Sequence, residues 1–357
     1  MFIYICINRI DNYLIHITMK SAFKYILAIA ICTVAAVSCN KSSGGFPSNK
    51  REVMDQFVAG KLDPSYVPSA FFIHFGAGKT VGEAAVRAQL EYLVATDMDI
   101  LKVQFEQYVP RIRDLDTDEG WENFRPIPED YYRPTFEIIQ RLQEVAGRNI
   151  YVLPTIYSTY QVATQGLGRN IIPGFQNHPE ALKKILDNYT DALLWLIKEC
   201  KKIGIEGFYL PTQGGEDQLN QYEGFFENFV MPYDLKVMGE ANEGTKMNIL
   251  HICDWTGTYE SLSRFKDYPG QIVNTPIVVD GKPFTPEDGY KLFKRPVLGG
   301  LDRQKEIIHS SEDEIAKLVD QVLAEAPKGK VMLGAECTVS DAPLGNLQTA
   351  VYTAHHQ

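Results

Sequence analysis

From about residue 51 onward, short apolar β-rich runs alternate with longer segments of helical period. The short runs are 70–75, 100–105, 150–156, 207–210, 247–252, 271–276, 296–298 and 330–334. Between them lie helical stretches such as 81–95, 133–146, 179–203, 215–230 and 313–326. Near-continuous apolar strands separated by helices predict a parallel sheet covered on both faces. Eight such pairs predict an α/β protein with a single (β/α)8 TIM barrel over residues 51–357. An open doubly wound sheet is the other arrangement of such units, but no Gly-rich dinucleotide loop follows the first strand. Gly76-Ala77-Gly78-Lys79-Thr80 superficially suggests a phosphate loop, yet a P-loop needs four residues between its first Gly and the Gly-Lys pair.

The N-terminus has a different pattern. Residues 19–39 read as a Met, the lysines Lys20 and Lys24, an apolar run from Ile26 to Val37 and small residues before Cys39. That is signal-peptide anatomy. The run falls short of the roughly 20 residues of a bilayer-spanning helix, and Ala36-Val37-Ser38-Cys39 resembles a bacterial lipobox. The expectation is a signal peptide over 1–39, with lipid on Cys39 and residues 1–18 an over-extended start before Met19. A polar tether follows over 40–50. This predicts an exported lipoprotein of the bacterial cell envelope, held to the membrane through its lipid only. An uncleaved N-terminal anchor is the alternative.

Composition narrows the partners. Of 357 residues 45% are hydrophobic, and 35 Lys+Arg against 45 Asp+Glu give a net charge of −10. An acidic chain lacks the basic footprint of a phosphate-backbone binder, so small molecules are expected and nucleic acid is not. Six cysteines reduce to Cys200, Cys253 and Cys337 once the leader's Cys6 and Cys32 and the lipidated Cys39 are set aside, and an odd number makes no disulfide framework.

In a barrel the chemistry sits just past the C-terminal ends of the strands. There the chain places Phe75–Lys79, Glu106, Tyr157–Tyr160, Gln213, His251–Asp254, Asn274, Asp302 and Glu336–Cys337. Alternation along a strand puts His251 and Cys253 on one side, so both can face the barrel mouth. With Cys337 they make one imidazole and two thiolates, a soft donor set suited to Zn²⁺ with a fourth position open. Zinc would hold a bound thiol as thiolate near neutral pH. The bland alternative is a packed core histidine beside two small buried cysteines.

The stretches from His251, from Arg295 (RPVLGGLDRQ) and from Val331 (VMLGAECTVSDAPLGNLQTAV) resemble the second half of the uroporphyrinogen decarboxylase superfamily. The resemblance implies a (β/α)8 barrel. It is closer to the zinc-dependent methylcobamide:coenzyme M methyltransferase branch, whose His-x-Cys…Cys motif matches His251, Cys253 and Cys337. That branch implies zinc as cofactor, a corrinoid or other methyl donor, a thiol acceptor and a possible corrinoid-protein partner. The decarboxylase branch fits less well. Its paired arginines fall on Phe75–Lys79, where Lys79 is the one cation. Its aspartate matches Glu106, its tyrosine Tyr160, its serine Gln213 and its histidine Ala335. Lys cannot replace the bidentate guanidinium contacts to a polycarboxylate.

The resulting expectation makes Glu106 and Tyr160 catalytic, with Lys79, Tyr157, Gln213 and Asp254 contacting substrate. The competing functions are decarboxylation of a tetrapyrrole and non-catalytic capture of a corrinoid or tetrapyrrole. A Glu106–Glu336 pair for glycoside hydrolysis is a further, weaker reading. Asp114–Glu122 reads as a solvated loop, His178 as a helix start and His355-His356 as a surface tail.

Overall fold

The computed structural model describes residues 49–104 and 106–357. The expected signal segment, Cys39 and most of the tether lie outside these residues. Seven parallel strands run along the chain: β1 Ile100–Val103, β2 Tyr151–Pro154, β3 Tyr209–Thr212, β4 Ile249–Ile252, β5 Ile272–Asn274, then β8 Val297–Leu301 and β9 Val331–Ala335. Between β5 and β8 a short antiparallel hairpin is formed by β6 Val278–Val279 and β7 Lys282–Pro283.

Regular pairing is less complete than eight strands would give. β1 and β2 form one parallel sheet, and β3, β4, β5, β8 and β9 form another in that order. Bridges link them at both edges. On one side Thr155 pairs with Tyr209, whose carbonyl accepts from Ile156 N at 2.9 Å. On the other, the expected first strand is reduced to one bridge, Ser69 with Leu333. Even so, Ala70 N donates to Leu333 O at 2.9 Å, and Asp99 N donates to Ser69 O at 3.0 Å. Gly334 permits this approach, because a Cβ there would lie 2.6 Å from Ala70 O.

The strands are mostly apolar because helices cover one face and the interior fills the other, with Lys102, Thr212, His251 and Asn274 as polar members; every residue of β2, β3, β4, β5 and β9 is buried. Helix Pro179–Lys202 begins with Pro in its first turn, where the missing N–H is harmless, and buries the stripe Leu182, Ile185, Leu186, Tyr189, Leu193, Leu196 and Ile197. Capping boxes open helices Pro286–Phe293 (Thr285, Asp288) and Glu312–Glu325 (Ser311, Glu314). No helix among the described residues is long and apolar enough to cross a membrane.

Two expectations are corrected here. Residues 215–230 are not one helix: a 3₁₀ turn at Asp217–Leu219 and a π turn at Phe226–Val230 precede helix Met231–Asn242. Gly215 packs under Phe265 and Phe226, so the chain there follows tertiary packing rather than a helical path. The terminal histidines are not both a surface tail. His355 is 5% exposed, and its Nε2 lies 2.8 Å from Asp99 Oδ2 and 3.0 Å from Tyr66 Oη. Asp99 also accepts from Tyr66 at 2.5 Å and from Ser69 N at 2.7 Å, and faces Lys50 at 3.5 Å. Those partners hold its carboxyl below the usual carboxylate range, outweighing burial.

Candidate metal centre

β4 carries His251, and the chain leaving that strand places Cys253 two residues on. Cys253 N donates to Thr212 O at 3.1 Å, which keeps the turn tied to β3. β9 delivers Cys337 two residues beyond its last member. The potential ligand atoms of these three residues lie within 4.8 Å of one another, and all three residues are buried. Burial is near complete, at 2%, 5% and 8% exposure for His251, Cys253 and Cys337.

The surroundings fit a cation. Nδ1 of His251 is buried without a hydrogen-bond partner, an arrangement costly to leave unmet. Cys337 and burial push the Cys253 thiol well up, while Cys253, His251 and Arg303 hold Cys337 well down against its burial. One imidazole and two thiols form a donor set that zinc favours, and its charge would draw off their protons.

Supporting groups surround the three. The Tyr209 ring stacks on His251, centroids 5.3 Å apart, and its hydroxyl donates to Asn274 Oδ1 at 2.8 Å. Gln213 Nε2 donates to Cys253 Sγ at 3.4 Å, and Tyr259 Oη donates to Cys253 O at 2.9 Å. Arg303 ties together the loops after β4, β8 and β9. Its guanidinium meets Asp254 at 2.6 Å and Glu336 at 3.4 Å, and its backbone N–H donates to Glu336 at 2.9 Å. Burial pushes the Glu336 carboxyl up to about 7 against the pull of Arg303.

A second group gathers at the end of β1. His74 Nδ1 is 2.9 Å from both Glu106 Oε1 and Gln104 Nε2, and Tyr108 Oη donates to Glu106 Oε2 at 3.1 Å. Lys102 Nζ donates to Gln104 Oε1 at 2.7 Å and lies about 5 Å from the ring centroids of Phe72 and Tyr209. Burial brings its ammonium down to about 8, against the pull of Cys337, Glu106 and Cys253. The Tyr157 phenol is pushed up by burial, with Tyr108, Glu106 and the two cysteines adding to the effect.

The other expected site residues are placed differently. Tyr160 packs edge-on to Phe225 at 5.9 Å, and the charge it feels is that of Glu216. Asp254 is committed to Arg303. Lys79 is exposed on a turn closed by its own N–H to Gly76 O at 3.1 Å. A cavity of about 1050 Å³ lies along 110–128, Tyr131 and Tyr189, without a member of the donor set in its lining. Lys102, Tyr209 and Arg303 are the residues that sequence reasoning missed, and Asn274, expected at a strand end, turns out to brace Tyr209, Leu298 and Ala335. A Lys inside the apolar run Ile100-Leu101-Lys102-Val103 was the one signal that could have found Lys102.

The chain belongs to the uroporphyrinogen decarboxylase family, whose model, Uroporphyrinogen decarboxylase (URO-D), matches residues 92–357. Among solved structures it resembles a methyltransferase from Methanosarcina mazei, with TM-score 0.67 and 13% identity over 86% of this chain and 98% of that one. It also resembles a B12-independent methionine synthase from Shewanella sp. W3-18-1, solved in complex with selenomethionine, with TM-score 0.53 and 12% identity over 81% and 97% of the two chains. At these identities the likeness is one of fold. No curated protein matches the chain.

Proposed function

We propose that the chain is a zinc-dependent methyltransferase acting on a small thiol. The observation that carries this reading is the buried cluster of His251, Cys253 and Cys337 with an unpartnered imidazole nitrogen. The methyltransferase and methionine synthase among its structural likenesses support it. His251, Cys253 and Cys337 would hold the ion. Zinc, when bound, would supply the positive charge that lowers the pKa of a nearby acceptor thiol.

The protein's own groups then have defined tasks. Glu106, backed by His74 and Tyr108, receives the acceptor's proton. The acceptor sulfur contributes the electron pair of the new sulfur–carbon bond, and the methyl–donor bond breaks with its pair passing to the donor. Tyr157 and Gln213 line the acceptor's place, and Arg303 fixes the loops bearing Cys253 and Cys337. The donor in this proposal is a corrinoid, brought by a partner protein, or another methyl carrier. The scaffold is a closed (β/α)8 barrel in which the segment 68–72 is the first stave, supported by its backbone bonds to Leu333 and Asp99. Export and lipid attachment at Cys39 complete the proposal.

Metal content of the whole chain tests it. About one zinc per chain, lost in both His251→Ala and Cys337→Ala, is expected together with methyl transfer to thiols. No zinc under reducing, metal-replete conditions would overturn it and leave tetrapyrrole decarboxylation or binding.

A further inference from the structure

Resting on the lipid anchor at Cys39 in that reading, we infer that the face bearing the N-terminal ends of the strands lies on an anionic lipid surface. The donor set, at the opposite ends of the same strands, then opens toward water. Thiol and methyl donor reach it from the aqueous side.

Charge divides the molecule between these two ends. The segments that enter the strands, at 59–69, 147–150, 201–208, 243–248, 266–271, 294–296 and 326–330, together hold ten Lys and Arg against four Asp and Glu. Asp97 and Asp99, the acids ahead of β1, face Lys50 at 2.8 and 3.5 Å. The segments that leave the strands show the reverse: 104–132, 213–230 and 302–314 hold 17 acidic residues against five basic ones. A chain of net charge −10 thus gathers a cationic excess at one end. Six of these cations, Lys61, Arg148, Lys266, Lys294, Lys328 and Lys330, have no ion-pair or hydrogen-bond partner for their side chains among the described residues, and all but Lys330 are exposed. Close to an anionic bilayer each such cation strengthens binding by a factor of about five, an effect that salt screens. The same surface repels the acidic end.

The anchored segment joins the domain at the cationic end. Asn49 caps helix Lys50–Val58 with its side chain. That helix covers the strand beginnings: its Met54 and Phe57 are buried with Ile100, Tyr151, Tyr209, Ile249 and Ile272, each the first residue of its strand. Arg51 N donates to Asn149 O at 3.0 Å, and its Nη1 donates to Gly147 O at 3.1 Å, which ties the helix to the segment before β2. Ten positions separate Cys39 from Asn49 (49 − 39), at most about 35 Å of extended chain, so an anchor at Cys39 brings this end to the bilayer.

The test is amine footprinting of the full chain on vesicles of phosphatidylcholine, with and without phosphatidylglycerol, using a membrane-impermeant acetylating reagent and mass spectrometry. On the anionic vesicles at low salt, Lys61, Lys266, Lys294 and Lys328 should react about threefold or more slowly than on the neutral ones, and high salt should abolish the difference. Lys79 and Lys305, past the C-terminal ends of the strands, should react alike on both. In the triple variant Lys294→Glu, Lys328→Glu, Lys330→Glu, the protection of Lys61 and Lys266 should be lost. Equal reactivity on the two vesicles would mean that these lysines only complement the helix C-termini that end here, and would overturn the inference. Protection of Lys79 and Lys305 instead, or protection that survives the triple reversal, would overturn it as well. The intact mass keeps the anchor separate. A chain without lipid on Cys39 that still shows the protection would sink the anchor and leave the lipid-facing end standing, whereas a lipidated chain without protection would do the opposite.

Discussion

Asn274 ends β5 in full burial and joins three strands through one side chain. Its Oδ1 accepts from Tyr209 Oη at 2.8 Å, and its Nδ2 donates to Leu298 O at 2.9 Å and Ala335 O at 3.1 Å. Asn274→Leu keeps the number and branching of side-chain heavy atoms and removes all three bonds. A buried polar group left unsatisfied costs about 1–3 kcal/mol, with carbonyls near the low end because each has a second lone pair. One hydroxyl and two carbonyls together then lose about 4 kcal/mol, a large share of the 5–15 kcal/mol that typically holds a domain folded. Urea unfolding of the metal-free chain should show the loss as a lower midpoint with unchanged slope. Tyr209→Phe should cost about 1–2 kcal/mol, and the double variant less than the sum, because both changes break the same Tyr209–Asn274 bond. A loss under about 1 kcal/mol for Asn274→Leu, or strict additivity with Tyr209→Phe, would refute the claim that this side chain holds the strand ends together.

Two further outcomes follow from groups away from the donor set. Burial pushes the Asp234 carboxyl up to about 8, with Thr212 donating to it at 2.5 Å. The folded chain thus keeps a proton that the unfolded chain releases near 3.8. Stability from this group is fully present below that lower value and is lost as pH rises through about 8. Denaturant midpoints should therefore fall more steeply with rising pH in the native chain than in Asp234→Asn, and parallel curves would contradict the assignment. His355→Ala strips a partner from the fully buried Asp99 and should cost about 3 kcal/mol in a thermal or urea melt near neutral pH. Because Asp99 is held below its usual value, the stability it contributes is present above the ordinary carboxylate range and is lost as pH falls through the folded value. A loss below about 1 kcal/mol would mean that Lys50, Tyr66 and Ser69 suffice without the imidazole.

Most of this architecture was legible in the hydrophobic pattern. Helix Arg133–Ala146 has the predicted limits, and helices Gly82–Thr96 and Pro179–Lys202 lie within a residue of theirs. Caps and prolines are local signals, and local signals can be read. The stretch 215–230 misled because apolar period alone cannot detect glycines closed in by Phe226 and Phe265. The donor triad could be read because strand alternation and strand ends are properties of the chain itself. Arg303 could not, since it matters only through groups dozens of positions away that the fold brings alongside; Asn274 stood out at its strand end, but its partners did not. Tyr160 illustrates the opposite limit. The resemblance singled it out, yet its ring packs edge-on against Phe225.

The separation of the donors along the chain has a consequence during synthesis. His251 and Cys253 are made almost together, but Cys337 follows 84 positions later (337 − 253). At about 5–20 residues per second, the ribosome leaves that pair without its third member for roughly 4 to 17 s. A nascent chain can thus offer a passing ion only a two-point grip, open to any soft cation nearby. In the proposed zinc site, choice among metals would wait until β9 has docked beside β8 and carried Cys337 into place, so selectivity would belong to the finished fold rather than to the emerging chain.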